Sequence, residues 1–175
     1  MEQLETIIAS HPFWKGAAPA HITRLAGFAQ IQQHGVGDLI FQERQQADHL
    51  CLLHRGHVAL EAFLPGTGVT TVAMLGAGEA LGWSWLFEPF RWQYSARSVD
   101  ATEVVVFSAA RLREMSESDP EFGRELVTRM AQVLMQRLQA ERFKLREMHS
   151  GQHPPVEDVL SEPDEESEAA THRSL

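Results

Sequence analysis

The pattern of apolar and polar positions changes twice along the chain, and each change marks a different kind of secondary structure. Residues 1–35 show helical spacing, with one face of a first helix formed by Leu4, Ile7 and Ile8. Pro12 ends that helix because proline disfavours helical geometry at the residue before it. Pro19 suits the start of a second helix. The pattern predicts two helices and a fully helical N-terminal region.

Short apolar segments separated by turn residues follow over residues 30–108. Turns are expected at Gly37-Asp38, Arg55-Gly56 and Pro65-Gly66. The predicted strands cover residues 39–41, 49–54, 57–64, 69–74 and 102–107. Regular spacing of short strands and turns is typical of an antiparallel sandwich or barrel.

Helical periodicity returns after Ser108. A short helix is predicted from residue 109, and Asp119-Pro120 supplies an N-cap and a first-turn proline for a second helix. This long helix runs over residues 120–148. The fold class is therefore α+β and mainly β: an antiparallel β-roll, or jelly roll, with N-terminal helices and a long C-terminal helix, all within residues 1–148.

The long helix carries two apolar stripes. The first consists of Phe122, Leu126, Met130 and Val133. The second consists of Val127, Ala131, Leu134, Leu138, Leu145 and Met148, with Glu141 as a polar member. Steps of four and three give the second stripe coiled-coil character, which predicts a homodimer through helix 120–148. The alternative is one wide stripe facing the core.

Charge is concentrated at the C-terminus. The chain has a net charge of −9, and residues 150–175 contain seven acids and one base. Residues 149–175 are predicted to be a disordered acidic tail, because so few apolar residues cannot offset the entropy of folding. The rest is almost neutral and lacks a basic surface, so direct DNA binding is not expected. Without an apolar membrane span or a basic leader, the chain is expected to be cytoplasmic.

Several spaced motifs resemble the cyclic nucleotide-binding domain of the catabolite-activator/FNR (Crp/Fnr) family, from about Leu4 to Met148. They are Gly37-Asp38 before Leu39, Ala47-Asp48-His49, Gly56, Gly78-Glu79-x-x-Gly82 and Ala96-Arg97-x-Val99-x-x-Thr102-Glu103-Val104. Arg44 departs from the family, which usually has a turn glycine there. Relatives that regulate transcription carry a helix-turn-helix after the long helix. Here the acidic tail follows it, as in a stand-alone form.

Residues 78–95, hereafter the cassette, resemble the family's phosphate-binding segment. The resemblance places the family's ribose-binding glutamate at Trp83 and its phosphate-binding arginine at Trp92. A short helix after Gly82 is expected to point the backbone N–H groups of residues 83–85 at an anion. Arg91 can replace the lost arginine only through a one-residue slip, although neighbouring strand positions face opposite ways.

Six aromatic residues fall within twelve positions of the cassette: Trp83, Trp85, Phe87, Phe90, Trp92 and Tyr94. These rings either stack on a flat or apolar ligand or fill the pocket that the family uses for its ligand. Aromatic residues at such density favour the filled pocket. The predicted ligand-binding residues are Gly82, Trp83, Ser84, Trp85, Arg91, Trp92, Tyr94 and Ser95.

Catalytic motifs are weak. Gly82-Trp83-Ser84-Trp85-Leu86 lacks the last glycine of a nucleophile elbow. His54, His57 and Glu61 loosely resemble a cupin metal motif, but a turn separates the histidines, and no metal site is predicted. Cys51 is expected to be an inert core thiol.

The predicted function is a non-enzymatic regulatory or sensor module without a resident cofactor. Its ligand would be a cyclic nucleotide or another small anionic or aromatic molecule, and it would signal through the long helix or a dimer. A domain with a filled pocket that acts as a protein-interaction scaffold is the alternative. A metal-dependent cupin enzyme is a third, less favoured interpretation.

Overall fold

Helices open the chain, as the sequence predicts. The computed structural model describes residues 2–150, with α1 at Glu2–Ser10, a 3₁₀ turn at Pro12–Trp14 and α2 at Pro19–Ala26. Pro19 is the first residue of α2. Within this part of the chain, none of the helices has the length and hydropathy of a membrane span.

Within residues 2–150, seven strands form two antiparallel sheets. They are β1 (Ala29–His34), β2 (Leu39–Phe41), β3 (His49–Arg55), β4 (His57–Leu64), β5 (Gly68–Gly76), β6 (Ser95–Ser98) and β7 (Thr102–Ser108). One sheet has the order β1-β7-β3, and the other has the order β2-β6-β4-β5. This arrangement confirms the predicted β-roll, with helices before and after it.

The helical prediction for residues 1–35 is wrong at its end, because Ala29–His34 is strand β1. The strand pairs along its whole length with β7, from Ala29 opposite Phe107 to His34 opposite Thr102. Residues 30–33, Ile31 included, are all exposed, so β1 has no alternating apolar face. Its conformation comes from the β7 ladder rather than from its own pattern.

The core lies between the sheets and beneath the helices. Leu50, Cys51, Leu52 and Leu53 are all buried, so both faces of β3 are covered. Trp14 packs against Phe107 of β7 and stacks on Phe122, with ring centroids 5.9 Å apart in each pair. These rings join the N-terminal helical region to the sheet and to the C-terminal helix.

Two helices follow β7: α3 (Ala109–Ser118) and α4 (Pro120–Ser150). Asp119 caps α4, since its Oδ1 accepts the backbone N–H of Phe122 at 3.2 Å. Phe122, Leu126 and Met130 are buried, so the first stripe of the long helix packs into the core. Val127 of the second stripe is exposed.

The chain divides into two compact units, Met1–Arg137 and Leu138–Leu175. Of the second unit, the structure describes residues 138–150, which are helical. There, Leu138, Leu145 and Met148 are more than half exposed. The predicted tail at 149–175 lies almost wholly outside the described residues, and its boundary stays a prediction.

Cys51 is expected to be unreactive in the folded protein. It is buried, and burial raises the pKa of its thiol to about 12. At pH 8 only about one thiol in ten thousand is then a thiolate, the form that reacts. A maleimide should therefore label the native protein negligibly and add one equivalent in denaturant. Rapid native labelling would contradict this placement of the single cysteine.

Asp100 should make folding stability sensitive to acid. Its Oδ2 lies 2.6 Å from Nδ1 of His57, and its Oδ1 accepts the His57 backbone N–H at 2.7 Å. These hydrogen bonds from His57, first that of the side chain, lower the pKa of Asp100.

A lowered folded-state pKa stabilises the protein above the unfolded value of about 3.9, and this stabilisation disappears as pH falls through the folded value. We expect the unfolding midpoint in urea to fall with acidification below about pH 4. Asp100→Asn should reduce that slope. An unchanged slope in Asp100→Asn would contradict the assignment.

Candidate functional site

The first part of the cassette is fixed to β3 by backbone hydrogen bonds. Leu53 donates its N–H to Glu79 O at 2.8 Å, and Gly78 donates to Leu53 O at 2.7 Å. Leu81 donates to Cys51 O at 3.0 Å. Because β3 is buried, these bonds hold the segment before Gly82 against the core.

The second part pairs with the loop after β2. Ala47 donates its N–H to Phe90 O at 2.7 Å, and Arg44 donates to Trp92 O at 2.8 Å. Arg44 has a φ of +69°, in the left-handed region that favours glycine. Glycine adopts this φ without strain, which explains the usual turn glycine of the family. This chain has an arginine at the same position.

The side chain of Trp92 fills the interior of the cassette around Gly82. Its ring is 3% exposed and stacks on Phe41, with centroids 3.9 Å apart and planes at 13°. A Cβ placed on Gly82 would lie 2.8 Å from Cζ3 of Trp92, so the indole lies directly over that glycine. Phe41 was not among the predicted site residues, because it belongs to β2 and only the tertiary fold brings it here.

The other cassette side chains differ in burial. Trp85 is fully buried, and its indole N–H has no acceptor among the described residues. Trp83 is half-buried. Its ring centroid lies 6.5 Å from that of Tyr94, and the two ring planes are nearly perpendicular. Ser84 is buried, and Ser95 Oγ accepts the backbone N–H of Glu43 at 2.9 Å.

The expected helix after Gly82 does not form. Residues 84–86 make a turn in which Leu86 donates its N–H to Trp83 O at 3.0 Å. Three residues of turn are too few to add a helix dipole at the cassette. The N–H groups of residues 83–85 nevertheless donate to no group in the described part of the chain.

Arg91 points away from this interior. Its residue is exposed, and its Nη1 donates to Arg44 O at 2.9 Å. Trp92, the next residue, is buried, as alternation along an extended segment requires. Arg91, the basic residue nearest to Trp92 in the sequence, therefore lies on the face opposite the indole ring.

Little space remains beside the ring of Trp92. A cavity of about 10 Å³ lies there, which is room for one water molecule. No charged side chain lines it; its walls are Phe41, Leu81, Gly82, Trp83, Ser84, Trp92, Gln93 and Tyr94.

The histidines of the cupin interpretation do not converge. His54 Nε2 lies 3.6 Å from Glu103, whereas His57 pairs with Asp100. Among residues 2–150, no group of three or more histidine, cysteine, aspartate or glutamate side chains could hold a metal ion. The two histidines instead face separate carboxylates.

Comparison with known proteins agrees with this architecture. The family model described as cyclic nucleotide-binding domain matches residues 32–119. A candidate cyclic nucleotide-binding protein from Geobacter metallireducens GS-15 is 31% identical, with 78% of this chain and 96% of that chain covered and a TM-score of 0.66. The chain belongs to the cyclic nucleotide-binding domain family.

More distant structures share the fold. A cyclic nucleotide-binding domain from Methylobacillus flagellatus KT is 20% identical, with coverage of 84% of this chain and 83% of that one and a TM-score of 0.72. The catabolite activator protein of Thermus thermophilus is 24% identical, with coverage of 79% and 63% and a TM-score of 0.63. Comparison with curated protein sequences gives no match.

Proposed function

We propose that this domain is a non-enzymatic regulatory module whose filled cassette replaces a bound cyclic nucleotide. The observation that carries the proposal is the position of Trp92 over Gly82, stacked on Phe41. An anion held by the N–H groups after Gly82 would meet the indole ring. The family fold supports the regulatory role, and the tryptophan supports independence from the usual ligand.

Size and charge agree with this proposal. Pockets for small molecules usually measure about 300–1,000 Å³, far above the 10 Å³ left beside Trp92, whereas a separate cavity of about 400 Å³ lies beside Ser95. The uncharged lining beside Trp92 offers neither a carboxylate for a ribose hydroxyl nor a guanidinium for a phosphate. Trp83 and Trp92 stand at the positions where the family resemblance places those two groups.

The output of the module is the long helix. Val127 and Leu138 are both 55% exposed, on the stripe whose spacing predicts a coiled coil. A second copy of the chain is the proposed occupant, since identical apolar stripes bury each other in a symmetric dimer. Helix α3 and the base of α4 would transmit the state of the cassette to that dimer.

Calorimetry with cyclic AMP, cyclic GMP and cyclic dinucleotides tests the ligand part of the proposal. We expect no heat of binding to the wild-type protein. The double variant Trp83→Glu, Trp92→Arg restores both family side chains and should bind cyclic AMP if the remaining frame is intact. Micromolar binding to the wild type, weakened by Arg91→Ala, would overturn the proposal.

The unused N–H groups of residues 83–85 favour a second candidate function. In this alternative, a small anion reaches those groups after the ring of Trp92 swings away from Phe41. Tryptophan fluorescence should then respond to a ligand. A blue-shifted emission that no tested anion or nucleotide changes would exclude it in favour of the filled module.

Light scattering tests the dimer. At tens of micromolar the wild type should have twice the mass of the monomer. Leu138→Arg should produce monomers because it places a charge within the stripe, whereas Gln139→Arg, at an exposed position beside the stripe, should not. A monomeric wild type would contradict dimerisation through α4.

A further inference from the structure

Two arginines of the C-terminal helices bond to main-chain carbonyls on either side of Gly82. Arg113 of α3 donates from Nη1 to Trp85 O at 3.1 Å. Arg137 of α4 donates from Nη2 to Ala80 O at 3.1 Å. Ala80 and Trp85 are themselves buried, so each bond ends on a fixed part of the cassette.

Arg113 also contacts the far end of the same loop. Its guanidinium carbon lies 5.2 Å from the centroid of the Phe90 ring. Phe90 has a φ of +53°, and its carbonyl accepts the N–H of Ala47, so the ring sits on a constrained backbone. A planar guanidinium can donate along its edge and stack across its face, which a lysine does less well. Arg113 therefore holds residues 85–90 at both ends.

The two helices are joined closely where they meet. A Cβ on Gly123 would lie 3.2 Å from both Cβ and O of Ser116, so α4 approaches α3 nearly to backbone contact. The N–H of Gly123 donates to Asp119 O at 3.0 Å. Close packing of this kind resists independent movement, so a shift of α3 displaces the start of α4.

We infer that Arg113 and Arg137 are positioning residues that fix α3 and the middle of α4 against the cassette filled by Trp92. The inference rests on the proposed function, in which that cassette replaces a ligand. In this arrangement the indole over Gly82 holds the turn that carries the Trp85 carbonyl, while the main-chain bonds to β3 hold the Ala80 carbonyl. The two arginines transfer these positions to the helices. The helices would then hold one position without any ligand.

Hydrogen exchange measured by mass spectrometry on the full chain tests this coupling. In a background with both arginines, Trp92→Ala should speed exchange of residues 115–124, the α3–α4 junction, by at least about tenfold. In the Arg113→Met, Arg137→Met background, the same change should add less than about threefold at the junction. Exchange within residues 78–95 should still increase in both backgrounds.

Control variants separate this role from general destabilisation. Arg111→Met removes an exposed arginine of α3 that pairs with Glu114, and it should leave the response to Trp92→Ala intact. Compared with Arg113→Met, Arg113→Lys should restore part of the response to Trp92→Ala. Trp92→Phe serves as the milder change if Trp92→Ala fails to fold.

Two results would overturn the inference: a junction response of equal size with and without the arginines, or no response when both are present. The nucleotide calorimetry tests the proposed function separately, because it does not depend on either arginine.

Discussion

Replacing Trp92 by alanine should lower the free energy of unfolding by about 3–5 kcal/mol, the range typical of buried aromatic residues truncated to alanine. The indole is almost wholly buried, stacks on Phe41 and covers Gly82, so its loss leaves a cavity in the core. The backbone bonds of residue 92 to Arg44 and Gln45 do not need the side chain. Urea denaturation followed by circular dichroism measures the change.

Trp83 provides the matched control. It is half-buried in the same cassette, so Trp83→Ala should cost about half as much, roughly 2 kcal/mol. Equal losses for the two variants would contradict a specific structural role for the stack of Trp92 on Phe41. A loss below about 1 kcal/mol for Trp92→Ala would show that the indole is not packed as the structure places it.

Gly56→Ala is the second change with a large expected effect. Gly56 has a φ of +88°, and an added Cβ would lie 2.6 Å from Oδ1 of Asp100 and 2.7 Å from both Ala101 O and Thr102 Oγ1. Left-handed geometry costs an alanine about 1–2 kcal/mol. Overpacking of a tight site adds typically about 1–3 kcal/mol. We expect a total loss of about 2–5 kcal/mol in unfolding free energy.

Gly66→Ala isolates the backbone contribution. Gly66 has a φ of +86°, but nothing lies within 4 Å of its added Cβ. Its variant should therefore lose only the cost of left-handed geometry, about 1–2 kcal/mol. If Gly56→Ala were no worse than Gly66→Ala, the turn around Asp100 would have to be looser than the structure shows. Thermal and urea denaturation of both variants decide this.

Membership of the cyclic nucleotide-binding family and a closed cassette are compatible. The frame of the cassette is made by main-chain bonds to β3 and to the loop at residues 44–47. Such bonds do not depend on which side chains project inward, so the fold tolerates tryptophan at positions 83 and 92. The side chains that line the cavity beside Trp92 include no charged group. A regulatory domain can keep its cassette and C-terminal helices while the ligand that controls them differs.

Sequence patterns predicted much of the fold. Proline and aspartate marked the beginnings of α2 and α4, because a fixed φ and a capping carboxylate act locally. Strands β3, β4 and β7 were evident from runs of apolar residues that must be buried. Strand β1, whose glutamines show no apolar face, and the four-residue strand β6 were not predicted, and the turn at residues 84–86 was predicted as a helix.

The sequence located the candidate site, but it did not predict how the side chains of the site are arranged in space. Glycine spacing around Gly78 and Gly82 identified the cassette, and the aromatic density there favoured a filled pocket over an open one. Nothing local could reveal that Phe41 lies beneath Trp92, or that Arg113 and Arg137 reach the carbonyls around Gly82. These partners are separated from the cassette by tens of residues along the chain.

The sequence by itself determined the family resemblance, most of the helices and strands, and the presence of tryptophan at positions 83 and 92, because each of these depends on residue type at a given position. Only the tertiary structure decided where the indole of Trp92 lies and that Arg91 faces outward. The physical reason is that a side chain's surroundings depend on strand pairing and packing between distant segments, and those emerge when the two sheets close on each other.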